Sequence, residues 1–231
     1  MSKYKNLEDG ISDEMNSLKN RRSRERSKRT NTGGWVVSID RPEEIYGDPA
    51  LYYTDEEIKK YARCGGMRRA QEKIAYRILE LLGLEPGAKL LDLGCGIGYT
   101  ALVYKSEGYD VIGIDILTKM LEKAREMGLT IVEGDMRNLS RLFQREEFDA
   151  VVSASALQWL KEGKDIGEVA TGVNYVLKDK GKLVIQFYPK SEEEMMNTAR
   201  VFKKGGFEGE IVVDNPENPK KRTIYLVMRK V

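Results

Sequence analysis

Histidine is absent from all 231 residues, and cysteine occurs only twice, at Cys64 and Cys95. Without an imidazole, the Ser-His-Asp and Cys-His nucleophiles and every His-ligated metal centre are excluded. Two cysteines are too few for a disulfide framework or a zinc site of the chain's own, and no resident metal is expected. Sparing cysteine use points to the cytoplasm. No apolar run approaches the roughly 18 residues of a membrane span, and no secretory signal opens the chain, so no membrane is expected among its partners.

What is present suits one sizeable domain: 41% of the residues are apolar and 33% charged. The net charge of +2 is unevenly placed. Residues 1–34 hold nine Lys/Arg against five Asp/Glu, which is +4 and leaves −2 for residues 35–231. Seven of those cations fall between Lys19 and Arg29, in "KNRRSRERSKR". With almost nothing apolar around it, this segment is expected to be a disordered basic arm. Arg21, Arg22, Arg24, Arg26, Lys28 and Arg29 are its candidate RNA-binding residues; the other reading is a solubilising tail.

The domain is expected to span residues 35–231. "TDEE" (54–57) reads as a capping box, with Glu57 reaching back to Thr54, and opens a helix to about Cys64. A second helix follows Gly65 and Gly66, with Met67, Ala70, Ile74, Ile78 and Leu81 on one face. Strand-like runs then occupy 88–93, 110–114, 129–133, 148–154 and 182–188. Helical runs separate them at 98–107, 117–127, 139–144 and 165–177; Leu117, Met120, Leu121, Ala124 and Met127 form the inner stripe of the second. A helix at 191–204 precedes two strands, "GFEGEIVV" and "RTIYLVMR", joined by a polar loop. Near-continuous apolar strands alternating with helices predict a doubly wound α/β sheet of Rossmann-like type, mostly parallel, with an antiparallel C-terminal edge and added N-terminal helices.

The first strand runs into "LLDLGCGIGYT" (90–100). Ligands of such sheets sit at the carboxyl ends of the strands, near the switch point. Glycines at 94, 96 and 98 do not match the G-x-G-x-x-G of a dinucleotide fold, because Tyr99 stands at the third glycine's place. The Lys-Ser/Thr ending of a phosphate loop is also missing. Asp92, Asp115 and Asp135 lie at or just beyond the ends of the first three strands, and three carboxylates would repel a pyrophosphate. They suit a ligand carrying a sulfonium, an ammonium and a free ribose diol, with Asp115 on the diol and Asp135 on an adenine amino group. That profile is S-adenosylmethionine, with S-adenosylhomocysteine as product. Candidate cofactor residues are Gly94, Cys95, Gly96 and Gly98 of the turn, Asp92, Asp115 with Ile116, Asp135 with Met136, Ser153, and Tyr61. Tyr61, Tyr52 and Tyr53 are candidate lids.

"DLGCGIG", "DILTKMLEKAR" and "EGDM" together resemble the class I methyltransferases over residues 88–188. The fourth strand ends in "SASALQWL" (153–160), which offers an amide and an indole but no acid or imidazole. A planar ring and an amide suit a nucleobase, although Trp159 could equally be core.

Further stretches carry a narrower resemblance: "RPEE", "YGDPALYYTDEEIKKYARCGGMRRAQEKIAYRILELL", "SASALQWL", "IQFYPK" and "GGFEGEIVVDNPENPKKRTIYLVM". From about Arg41 to Arg229 the chain is similar to the small-subunit ribosomal RNA guanine-N7 methyltransferases of the bud-site-selection type. That resemblance implies methylation of N7 of one guanine in small-subunit ribosomal RNA, on the RNA or the pre-ribosome, late in ribosome assembly. It also implies a small zinc-binding activator protein as partner, for which the strand at 129–133 is the candidate docking edge. The chain departs from the family at Gly65–Gly66, where a Ser-Arg pair often stands and its arginine can hold the cofactor carboxylate; Arg63 or Arg68 is then the candidate. Asn215 replaces a tyrosine, and a basic C-terminal extension is not seen, which fits an archaeal-type member.

Guanine N7 carries a free lone pair and no proton, so no general base is required. No dedicated catalytic residue is therefore expected, only positioning. Trp159 and Tyr188 are the candidate stacking residues, and Gln158 and Ser155 the candidates for the guanine edge. A small-molecule methyltransferase of the same fold and an assembly factor with dispensable catalysis remain the alternatives.

Overall fold

The computed structural model describes residues 41–161, 163–219 and 221–231. The expected basic arm, with Arg21, Arg22, Arg24, Arg26, Lys28 and Arg29, and the expected domain start at Trp35 lie outside the described residues.

Two short helices come first, α1 (Pro42–Tyr46) and α2 (Pro49–Tyr52), each with proline in the first turn, where its missing N–H costs nothing. Helix α3 (Asp55–Arg63) is capped by Thr54, whose hydroxyl accepts from Glu57 N. Glu57 does not reach back as the capping box predicts. The Thr54 amide is already spent on the Tyr52 carbonyl, and the Glu57 carboxylate pairs with Lys60.

Helix α4 (Gly65–Leu82) buries Gln71, Ile74, Ala75, Ile78 and Leu82. The buried stripe is therefore rotated from the expected one: Met67 and Ala70 are exposed and Leu81 only partly covered, while Gln71 and Leu82 face inward. A glutamine inside the stripe disguised its true direction.

The alternating part follows as β1 (Lys89–Leu93), α5 (Tyr99–Ser106), β2 (Asp110–Asp115), α6 (Thr118–Glu126), β3 (Thr130–Glu133), a 3-10 turn at Met136–Asn138, α7 (Leu139–Leu142) and β4 (Phe148–Ala154). A second 3-10 turn at Leu157–Trp159, α8 (Lys164–Val176), β5 (Leu177–Phe187), α9 (Glu192–Lys204), β6 (Phe207–Asp214) and β7 (Thr223–Lys230) complete the chain. The seven strands lie in the order β3-β2-β1-β4-β5-β7-β6. The first five are parallel; β7 runs antiparallel to both β5 and β6. The expected C-terminal hairpin is present, and β7, not β6, lies against β5.

Strand β5 is longer than the expected 182–188. Leu177 already pairs with Phe148, and the ladder then slips before Ala150 meets Lys182. The polar "KDKG" at 178–181 fills that bulge, which hid the strand's start. At the other end the strand stops at Phe187, so Tyr188 stands beyond it.

Alternation along the central strands sends side chains to two helical layers. Leu90, Ala150, Val152 and Val184 pack with Ile78 and Leu82 of α4, Tyr104 of α5 and Ala124 of α6. Leu91, Val151, Leu183 and Ile185 point the other way and are wholly buried. Helix α8 presents a buried stripe of Ile166, Val169, Ala170, Val173 and Val176, and α9 one of Met195, Thr198, Ala199 and Phe202. Each fully buried aliphatic side chain here contributes about 1.5–3 kcal/mol. Among the described residues no helix is long and apolar enough to cross a membrane.

Candidate active site

Strand β1 ends in a turn that curls back over β2. Gly94, Gly96 and Gly98 all have positive φ, at 70°, 55° and 90°. The amides of Gly94 and Cys95 both donate to the Ile114 carbonyl, at 2.8 and 3.0 Å. Gly98 N donates to Cys95 O at 2.9 Å, and Gly96 N to Asp115 Oδ2 at 2.8 Å. These four amides are spent inside the protein, so they do not cradle a phosphate. A Cβ placed on Gly96 would meet nothing within 4 Å, which makes it the floor of an open crevice.

Two carboxyls line that floor. Asp115 accepts from Gly96 N and from Leu117 N at 2.9 Å, and burial pushes its pKa above the usual carboxylate range. Asp92 is wholly buried. Burial, helped by the nearby Asp115 charge, raises its pKa to about 7 against the lowering effect of a 2.6 Å hydrogen bond from Thr100. Its Oδ1 is buried and has no partner. A cation in the crevice would stabilise both ionised carboxylates, which is the chemistry a sulfonium and an ammonium supply. Ile116, half exposed beside Asp115, and Met136, whose methyl lies over Gly94, give the crevice an apolar flank suited to adenine.

Other candidate residues stand differently. Asp135 is gripped by Arg137, whose guanidinium donates to both oxygens at 2.5–3.0 Å and whose amide is capped at 2.9 Å. Burial alone would raise this carboxyl, but the Arg137 hydrogen bonds reverse that and hold it below its usual value. Arg137 also reaches Asp165 at 3.4 Å. Ser153 is buried and donates its hydroxyl to Leu93 O at 2.8 Å. The Cys95 thiol packs against Gly113, where a Cβ would lie 2.7 Å from Sγ, so only its backbone shapes the turn. Burial pushes its thiol pKa well up. Arg63 is exposed, and Arg68 is paired with Glu72 at 2.7 Å.

The other wall is built at the ends of β4 and β5. Trp159 lies against Tyr52 and Tyr53, with ring centroids 5.9 and 5.8 Å away. Tyr61 stacks on Tyr99 at 5.9 Å, and the Tyr99 hydroxyl donates to Ala62 O at 2.9 Å. The N-terminal helices thereby form an aromatic cover running from Trp159 to the first residue after the glycine turn. Gln158 donates from Nε2 to Ser155 O at 2.8 Å. That carbonyl can only accept, which fixes the amide's direction and leaves Gln158 Oε1 buried without a partner. Tyr188 is 42% exposed.

A family model described as a methyltransferase domain matches residues 91–185. The chain is 34% identical to the 18S rRNA (guanine-N(7))-methyltransferase bud23 of Schizosaccharomyces pombe, over 83% of this chain and 75% of that one. It is 35% identical to the 18S rRNA (guanine(1575)-N(7))-methyltransferase of Saccharomyces cerevisiae, over 78% and 69%. The chain belongs to the 18S rRNA (guanine-N(7))-methyltransferase family. Its cofactor is S-adenosylmethionine. The fold is also that of the PH0226 protein of Pyrococcus horikoshii, with a TM-score of 0.62, 21% identity and coverage of 78% and 95%. A phosphoethanolamine N-methyltransferase 2 of Haemonchus contortus, solved with S-adenosylhomocysteine, gives 0.59, 24%, 73% and 45%.

In this methyltransferase, several site residues escape a reading of the sequence. Gln186 is fully buried and accepts from Ser155 Oγ at 2.8 Å, while Gln71 Nε2 approaches the same hydroxyl at 3.5 Å. A lone glutamine in the apolar run "KLVIQFY" was a signal for Gln186. Gln71 carries no such signal, being one polar residue among the charged ones of α4. Arg41 forms a largely covered pair with Glu43 and donates to Tyr188 O, anchoring the loop that carries Tyr188.

Proposed function

We propose that this protein methylates N7 of a guanine in small-subunit ribosomal RNA during ribosome assembly, working in the cytoplasm on the pre-ribosome. One observation carries the reading. The wall around Trp159 offers amides, hydroxyls and aromatic faces, namely Gln158, Ser155, Gln71, Gln186, Tyr52, Tyr53 and Tyr61, with no group poised to take a proton near neutrality. Burial pushes Tyr61 up to about 12 and Tyr53 higher still. Such a wall suits an acceptor that already has its lone pair, as guanine N7 does, and not a hydroxyl that must lose a proton.

When bound, S-adenosylmethionine supplies the electrophilic methyl group. Asp115 and Asp92 hold negative charge beneath it, and the Gly96 turn leaves room for it. Trp159 and Tyr188 stack the purine, and Gln158 and Ser155 take its polar edge. The aromatic cover excludes water and stabilises the cation left on the ring. Orientation of this kind contributes roughly 7–11 kcal/mol to a transfer barrier. A small zinc-binding activator would dock by strand addition on β3, which ends the sheet and carries exposed Thr130 and Glu133. The basic arm at Lys19–Arg29 would add sequence-independent affinity for RNA.

The test is transfer of labelled methyl from S-adenosylmethionine to immature small ribosomal subunits, with borohydride and aniline cleavage to map N7-methylguanine. The expected result is label at one guanine. Tight cofactor binding with no label in any RNA would overturn the reading in favour of a small-molecule substrate.

A further inference from the structure

The outward face of α3 carries Lys59, Lys60 and Arg63, opposite the inward Ile58, Tyr61 and Ala62. With Glu56 and Cys64 these three cations line an open cleft of about 570 Å3 at the corner where α3 meets α4. Arg69 of α4 folds back over the same corner, its guanidinium 3.3 Å from where a Cβ on Gly65 would sit.

The charge of this corner is not a reflection of the whole domain. Residues 59–73 hold six Lys/Arg and a single acid, Glu72, whereas residues 35–231 together hold 30 Lys/Arg and 32 Asp/Glu. Local pairing does not absorb it. Lys60 pairs with Glu57 at 3.2 Å and Arg68 with Glu72 at 2.7 Å. No hydrogen bond or ion pair of Lys59, Arg63 or Arg69 forms among the described residues; Lys59 acts only through space, lowering the pKa of Asp55.

Helix design does not ask for it either. Lys60 and Arg63 suit the C-terminal end of α3, but α4 has no acid in its first turn and sets Arg68 and Arg69 immediately after it. Cations near a helix N-terminus oppose the macrodipole. A local rule broken without a structural gain marks a functional surface. The inner face of the same α3 carries Tyr61, which lies 6.2 Å from Tyr53, itself against Trp159. The cleft thus backs directly onto the aromatic cover of the substrate wall.

We propose that this corner grips the phosphate backbone of the single-stranded RNA flanking the target guanine, with Lys59, Arg63 and Arg69 as its contacts. The proposal rests on the ribosomal RNA reading above. Three cations around an open cleft match a run of phosphates, and each neutralised phosphate of a single strand contributes about 0.7 to the slope of log affinity against log salt.

The experiment compares the full chain with its K59A/R63A/R69A variant, binding a 20-nucleotide single-stranded RNA and immature small-subunit RNA across a salt series. The variant is expected to lose about 2 from the salt slope, three contacts at about 0.7 each. It should raise KM for RNA; the K59A/R69A variant, which leaves Arg63 in place, should also raise it while keeping kcat at saturating RNA and affinity for S-adenosylmethionine. The charge-preserving K59R/R63K/R69K variant should retain the wild-type slope. Unchanged RNA affinity and slope in the alanine variant, in a protein that does methylate RNA, would overturn the proposal. So would a loss of cofactor affinity in place of RNA affinity, which would assign the corner to the cofactor carboxylate. Failure of the unmutated protein to methylate any RNA would instead overturn the reading beneath, and is seen without the variant.

Discussion

Ser155 gives both of its donors to Gln186: its amide to the carbonyl at 3.0 Å and its hydroxyl to Oε1 at 2.8 Å. This pair of hydrogen bonds across the ends of β4 and β5 holds Ser155 at φ 57°, a left-handed conformation that costs a non-glycine residue about 1–2 kcal/mol. Ser155→Ala should lose about 1–3 kcal/mol in urea unfolding, because Gln186 Oε1 is left buried without its donor. Ser155→Gly loses the same bond but relieves the backbone, so it should be the more stable of the two by about 1 kcal/mol. Equal midpoints and slopes would show that no strain is held there.

The glycine turn separates folding from binding. A Cβ on Gly98 would lie 2.2 Å from Leu129 Cδ1, and one on Gly94 2.3 Å from Ala156 Cβ. Gly98→Ala and Gly94→Ala should therefore be destabilised by several kcal/mol, as overpacked core positions with positive φ are. Gly96→Ala meets open space and should lose only about 1 kcal/mol, the cost of its φ. Its methyl group nevertheless stands in the crevice, so cofactor affinity measured by calorimetry should fall at least tenfold, the equivalent of about 1.4 kcal/mol. A Gly96→Ala protein that binds the cofactor normally would move the site elsewhere.

Asp92 makes the stability of the fold sensitive to pH. Burial raises its pKa from 3.8 to about 7, so between those values the folded protein holds a proton that the unfolded chain has lost. The stability linked to this group is complete below about pH 4 and is lost as pH rises through about 7, by at most about 1.4 kcal/mol per unit. Asp92→Asn removes that loss. The difference in unfolding free energy between variant and wild type should grow in the variant's favour from pH 4 to 7, while Asp115, also raised by burial, adds a slope of the same sign to both. A difference that is flat over this range would show Asp92 ionised throughout.

The sheet was legible because its strands are apolar runs with glycine or acid at their ends, and the glycine turn because its spacing is local in sequence. Features that depend on a distant partner were not. Asp135 looks like a free acid until Arg137 closes on it. Gln71 reads as surface until α4 turns it toward Ser155, 84 residues away. The start of β5 is hidden by a polar bulge whose only signal is its register against β4. Trp159 was ambiguous between core and site, and its neighbours Tyr52 and Tyr53 place it beneath a cover drawn from the other end of the chain.

The basic arm and the folded domain should contribute separately to RNA affinity. Deleting residues 1–34 removes nine Lys/Arg and five Asp/Glu. RNA affinity should fall and its salt dependence flatten, while cofactor affinity stays at the wild-type value. Filter binding over a salt series checks this, and an unchanged RNA affinity would reduce the arm to a solubilising tail.

A positioning mechanism also dictates how rate depends on pH. A ribose hydroxyl as nucleophile would need a base, and kcat would climb with the ionisation of that base. Here Tyr61 is pushed up to about 12, and Gln158, Gln186, Gln71 and Ser155 do not titrate. A cation in the crevice favours the ionised forms of Asp92 and Asp115. At saturating cofactor and RNA, kcat for methyl transfer should therefore be level from about pH 7.5 to 9.5, a window above the Asp92 ionisation and below the raised Tyr61 one. Trp159→Ala should lower that plateau without tilting it, since it removes a surface and not a proton acceptor. A kcat that rises with a slope of one across the window would reveal a base at the substrate wall, and with it a nucleophile other than a free ring nitrogen.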